Sequence, residues 1–155
     1  MNTKLLALFL VPLAAACSSG PIAKAALDDE VRRLCAIDGG VKVYETVTLP
    51  PGKFDKYGNI HIPSKANAKA DDKYYRQWDV YYYRQGNPEL SKDHFQIVRR
   101  SDGKILGEAI YYGRGGGDIP GPWHDSSFKC PDPTKQPSLE SSIFIQHESK
   151  GPGSN

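Results

Sequence analysis

The densest gathering of chemically capable residues in this 155-residue chain is the run Gly113-Arg114-Gly115-Gly116-Gly117-Asp118-Ile119-Pro120-Gly121-Pro122-Trp123-His124. Glycines let backbone N–H groups approach an anion, arginine makes bidentate contacts with carboxylate or phosphate, and an indole offers a flat apolar face. Arg114, Asp118, Trp123 and His124 are therefore candidate binding residues for a small ligand or peptidoglycan. The run matches neither a P-loop, which ends in Lys followed by Ser or Thr, nor a dinucleotide loop, which opens a parallel βαβ unit. Its plainer role is to pack Trp123 on a sheet and deliver the chain to Cys130. His124-Asp125-Ser126-Ser127 contains the residue types of a hydrolytic triad, but such triads converge from separate segments, and consecutive side chains diverge. No Gly-x-Ser-x-Gly elbow occurs. An enzyme would have to be assembled from Glu45, Asp118 and His124. The histidines His61, His94, His124 and His147 have neither i, i+4 partners nor a Cys-x-x-Cys companion, so no metal or other cofactor is expected.

A second concentration is aromatic: Tyr74, Tyr75, Trp78, Tyr81, Tyr82 and Tyr83 fall within ten residues of chain. Such a cluster can stack on sugars. Aromatics on both faces of a strand equally bury one face and offer the other to a protein, and a core plus contact surface is the expectation here. Charge weighs against one class of partner. Lys and Arg number 20 against 18 Asp and Glu, a balance of +2 with no concentrated basic face, which gives no support for nucleic-acid binding.

The elements that must position these residues are legible in the spacing. Leu27, Val31, Leu34 and Cys35 follow i, i+4, i+7, i+8, the apolar stripe of an amphipathic helix between Pro21 and Ile37. Asp28, Asp29 and Glu30 fall toward its start, Arg32 and Arg33 toward its end, and Gly39-Gly40 stops it. Val41 to Leu49 alternates as a strand, with Glu45 on its otherwise apolar side. Pro50-Pro51-Gly52 breaks it, residues 54–63 form a turn with short arms, and residues 64–73 lack an apolar face and read as exposed loop. Tyr74 to Arg84 is a second strand. Residues 95–100 and 105–112 flank Ser101-Asp102-Gly103-Lys104, and the Asp-Gly pair predicts a hairpin with a type I′ turn. A short strand over 143–146 closes the pattern. The fold class is α+β: an N-terminal helix packed on a single antiparallel sheet of about four or five strands.

The N-terminus carries an address. Lys4 precedes an apolar stretch from Leu5 to Leu13, which is too short to span a bilayer, and Ala14-Ala15-Ala16 then leads into Cys17 and Ser18-Ser19-Gly20. This arrangement resembles the lipobox of bacterial lipoproteins, although Ala14 stands where that family usually has Leu. The resemblance implies that residues 1–16 are a signal peptide, that Cys17 is the lipidated first residue, and that 17–21 form a tether. A single globular domain over 22–148 and a flexible tail over 149–155 then follow. Ser18 in place of the Asp that retains lipoproteins in the inner membrane implies the outer membrane, facing the periplasm. Removing 16 of 155 residues leaves 139, enough for one domain, and loses only Lys4, so the balance becomes 19 against 18, or +1. Cys35 and Cys130 then remain, and an even count in an oxidising compartment reads as one disulfide. Phe54-Asp55-Lys56-Tyr57-Gly58, Arg100-Ser101-Asp102-Gly103-Lys104 and Gly116 to His124 are similar to stretches of small uncharacterised proteobacterial lipoproteins. That similarity supplies no activity. The expected partners are the membrane, through the anchor, and an envelope protein.

Overall fold

The computed structural model describes residues 21–118, 121–122 and 124–147. The apolar stripe forms helix α1 (Pro21–Asp38), which starts earlier than the acidic cluster. Asp29 and Glu30 therefore lie mid-helix, where they pair with Arg32 and Arg33 one turn on, at 2.6 and 2.7 Å, rather than with the helix dipole. Gly39 ends the helix by donating its N–H to the Cys35 carbonyl at 2.9 Å.

The main sheet is antiparallel and contains β1 (Gly40–Val43), β3 (Tyr74–Arg84), β4 (Glu89–Arg99), β5 (Ile105–Gly115) and β6 (Ser127–Cys130), in the order β1-β5-β4-β3. One edge of β5 pairs with β4 along its length, and the other is shared end to end: β1 takes Gly107 to Ile110 and β6 takes Tyr112 to Gly115. The Cys35–Cys130 disulfide closes beside that junction, tying the end of α1 to the end of β6. The bridged residues are 95 apart in sequence. By the chain-entropy relation such a loop contributes about 4 to 5 kcal/mol.

The strand expected over 41–49 is split. Tyr44 and Glu45 both donate backbone N–H groups to the Leu106 carbonyl, at 2.8 and 3.0 Å, which turns the chain out of the main sheet. The remainder, β2 (Val47–Leu49), pairs in parallel with β7 (Phe144–Gln146) as a second, two-stranded sheet. The short helix α2 (Leu139–Ile143) precedes β7 and is capped by the Ser138 hydroxyl, which accepts from the Ser141 N–H at 3.0 Å. The hairpin between β4 and β5 is present, but its turn is not type I′. Asp102 keeps a negative φ, and only Gly103 enters the left-handed region at 70°. A four-residue loop closes instead, with the Gly103 N–H donating to Arg99 O at 2.9 Å and Asp102 fastened to the Arg99 guanidinium at 2.7 Å.

Alternation along β4 and β5 sends side chains to two cores. On one face Val31 and Leu34 of α1 pack against Leu90, Ile110 and Tyr112. On the other, Ile97 and Ala109 pack with Leu139, Ile143 and Phe144 of the α2–β7 layer, and Leu106 and Ile62 complete that core. Gly107 permits this second contact: a Cβ there would lie 2.9 Å from Ile143 Cδ1 and 2.8 Å from the Lys42 carbonyl. The α2–β7 layer meets β3, the outer strand, only at its start, where Tyr74 packs against Phe144.

Candidate functional site

The glycine-rich run begins as the last residues of β5, which places Arg114 on the α1 side of the sheet. Its side chain is 2 % exposed. Nε donates to Asp28 Oδ1 at 2.5 Å, and Nη1 donates to the carbonyls of Gly116 and Ser126. Asp118 returns the contact one helical turn earlier on α1, accepting from Lys24 Nζ at 2.6 Å and from the Ser126 N–H at 2.5 Å. Those bonds, Lys24 first, hold the Asp118 carboxyl far below its ordinary range. Residues i and i+4 of a helix share a face, so Lys24 and Asp28 form a two-point lock for Arg114 and Asp118. Two of the loop's backbone donors are committed as well: the Gly116 N–H bonds to Ser126 O at 2.9 Å and the Gly117 N–H to Asn87 Oδ1 at 2.5 Å. Gly116 has φ 75°, and a Cβ on it would sit 2.1 Å from Asn87 Oδ1. The glycines thus admit Asn87, and the anion held by the arginine belongs to the chain itself. A depression of about 310 Å³ beside this clamp is lined by Asn87, Glu89, Gly116 and Asp125, which presents carboxylates rather than an anion-binding surface. His124 is exposed. Trp123 and Cys17 lie outside the described residues.

Glu45, the third member of the possible enzyme site, sits at the opposite end of β5. It accepts from Arg99 Nη1 and, at 2.7 Å, from Lys104 Nζ, and these cations hold its carboxyl below the ordinary range. About 30 Å of strand separate it from Asp118. Glu45 and Asp118 do not converge.

A polar cluster that spacing did not single out lies between these ends, on the α1 side of the sheet. His94 Nε2 and Tyr44 Oη contact the two oxygens of Glu108 at 2.7 and 2.5 Å. Burial pushes the Glu108 carboxyl up, but the bonds from Tyr44 and His94 outweigh it, and the net direction is down. Beside it Asp38, from the end of α1, accepts from Tyr112 Oη at 2.6 Å and Lys92 Nζ at 2.8 Å. Burial, then the Asp38 bond, drive the Tyr112 phenol far above its ordinary range. Each carboxylate here is matched to donors within the chain, which makes the cluster a polar seam between α1 and the sheet. His94 and Glu108 are brought together by the hairpin register, in which Gln96 opposes Glu108 and His94 opposes Ile110. A two-residue turn at Asp102-Gly103 would instead set His94 opposite Tyr111, on the other face from Glu108, and it is the register shift between Ile97 and Val98 that brings the pair to one face. Among the described residues no three His, Cys, Asp or Glu side chains converge to hold a metal ion, and no described helix is long and apolar enough to cross a membrane.

The aromatic strand behaves differently. β3 forms an edge of the main sheet, bonded only to β4 over most of its length. Trp78 is 58 % exposed, with its ring stacked on Phe95 at 5.7 Å and its indole N–H donating to Asp93 at 3.2 Å. Val80 and Tyr82 continue that face, and Tyr81 and Tyr83 stand exposed on the other. Tyr74, at the start of the strand, is the member drawn into the core, meeting Phe144 edge to face at 5.0 Å. The large side chains beyond Gln77 are thus left outside both cores, Trp78, Val80 and Tyr82 on one face of the strand and Tyr81 and Tyr83 on the other. No protein-family model matches the chain, and neither a curated protein nor a solved structure is detectably similar to it.

Proposed function

We propose that this chain is a lipid-anchored cell-envelope protein, tethered through Cys17 to the outer membrane and facing the periplasm, whose domain serves as a binding or accessory module for an envelope protein. The anchor reading rests on Leu5 to Leu13, the three alanines and Cys17 in sequence. The binding reading is carried by one observation, the exposure of Trp78, Val80, Tyr81, Tyr82 and Tyr83 together on β3. Rigid aromatics supply large contact area at low entropic cost and dominate protein interfaces. The alternative, a small ligand or peptidoglycan held by the Arg114–Trp123 loop, has less support, because Arg114 and the Gly116 and Gly117 N–H groups are already bonded within the chain.

Two measurements test the two halves separately. Metabolic labelling with a fatty-acid analogue should mark the wild-type chain and not Cys17→Ser, and equal incorporation would refute the anchor. Crosslinking pull-down from intact envelopes should recover a partner with wild type. Trp78→Ala/Tyr82→Ala should lose it, whereas undiminished recovery would remove β3 from the interface.

A further inference from the structure

The edge of β3 offers backbone as well as side chains. Arg76 shows which residues point outward: its N–H donates to the Pro63 carbonyl and its C=O accepts from the Lys65 N–H, both at 2.8 Å, on the side away from β4. Strand periodicity then turns the N–H and C=O groups of Trp78, Val80 and Tyr82 to that same side. No described residue bonds to them. The open stretch is bounded by the 63–65 segment at one end and by a bulge between Tyr82 and Arg84 at the other. Its midpoint is Val80. A long exposed edge with apolar side chains is a template for another strand unless something blunts it, and Asp79 is the single charge between Gln77 and Tyr83.

We propose that a second copy of this chain occupies this edge, the two β3 strands pairing antiparallel about a two-fold axis that passes between the two Val80 residues. The stretch is complementary to its own reverse. Antiparallel pairing about Val80 sets Trp78 opposite Tyr82 of the second copy, Val80 opposite Val80, and Asp79 opposite Tyr81. Aromatic thus meets aromatic and a carboxylate meets a phenol, while the two Asp79 side chains stay off the opposed position where like charges destabilise a pair. Register is consistent with the ladder, because outward-bonding residues oppose outward-bonding residues. At the ends the ladder stops where Arg76 is already bonded to Pro63 and Lys65. The axis stands perpendicular to the sheet, so Trp78, Val80 and Tyr82 of both copies line one continuous face. The pairing uses the strand's edge and leaves that face open, so it does not depend on the anchor or on the partner proposed above.

Single cysteines in the full-length chain, in intact membranes under mild oxidation, read the register directly. Opposed residues of a hydrogen-bonded pair have Cα atoms about 5.5 Å apart, within disulfide range. Val80→Cys should therefore give a covalent homodimer on a non-reducing gel. Trp78→Cys alone should not, because its own copy lies four residues along the partner strand, about 14 Å away. Trp78→Cys coexpressed with Tyr82→Cys should crosslink, and adding Val80→Pro to both should reduce that product at least tenfold by removing an outward N–H. An intact Cys35–Cys130 bond in each variant, read by thiol alkylation, certifies the fold. Absence of the Val80→Cys dimer, self-crosslinking of Trp78→Cys as strong as that of Val80→Cys, or capture of a different protein by Val80→Cys in place of the homodimer would each overturn the proposal.

Discussion

The clamp at the end of β5 closes its polar groups in, and the aromatic edge of β3 leaves most of its apolar groups out. The glycine-rich segment has an arginine, an aspartate and free-looking amides, the composition of a ligand loop, and it spends them on α1, Ser126 and Asn87. The tyrosine-rich strand has the composition of a core, and most of it is left outside. Position in the topology accounts for both outcomes. β5 is the central strand, flanked by β4 on one side and by β1 and β6 on the other, so polar groups at its end are covered by α1 and must find partners there. β3 is an edge strand that the α2–β7 layer meets only at its start, so the apolar groups beyond Tyr74 remain available.

Arg114→Ala is the most forceful way to break this contrast. The substitution strands the partly buried Asp28 carboxylate and frees the carbonyls of Gly116 and Ser126. Breaking a buried pair by removing one partner costs about 3 to 5 kcal/mol. We expect a loss of that size in urea unfolding, with Arg114→Met/Asp28→Leu recovering much of it because no charge is left without a partner. Wild-type stability in Arg114→Ala would return the loop to the list of ligand sites.

How far sequence carries depends on whether a feature is local. The periodicity of α1, the alternation of β3 and the hairpin across Gly103 are each written within one short stretch of chain, and all three are present. Short elements whose pairing is remote are not visible in that way. β6 has four residues and is a strand because β5 offers it the edge beyond β1, and β2 leaves the main sheet because Tyr44 and Glu45 both bond to Leu106. The two ion pairs of the clamp join residues 86 and 94 apart, and nothing near Arg114 announces Asp28. Burial of Tyr74 and exposure of Trp78 likewise follow from where the α2–β7 layer ends, which composition does not record.

Acid probes the other half of the clamp with a smaller effect. The Asp118 carboxyl is held below its ordinary value by Lys24 and Ser126. A group whose folded value is depressed contributes stability that is present above its unfolded value, near pH 4, and is lost as pH falls through the folded value. The stability of the wild-type domain should therefore fall more steeply below pH 4 than that of Asp118→Asn, which has no proton to take up. Parallel curves from pH 5 to pH 2, followed by denaturant unfolding at each pH, would place the proton uptake elsewhere.

The smallest expected effect on stability comes from the surface that carries the largest expected effect on binding. Trp78 and Tyr82 are about half exposed, and truncating them removes contact chiefly with solvent, Phe95 and Asp93. Substitutions at such positions usually stay within about 0.5 kcal/mol, against about 3 to 5 kcal/mol for deleting a buried aromatic. Trp78→Ala/Tyr82→Ala should accordingly unfold close to wild type. Tyr112→Phe is the matched control on the buried side of the sheet, where loss of the hydroxyl leaves Asp38 with Lys92 as its remaining side-chain donor. That change should cost about 1 kcal/mol, because a partly buried acceptor loses a partner. If the double variant of β3 proved the more damaging of the two, the aromatic edge would be part of the core, and the division between a sealed clamp and an open strand would fail.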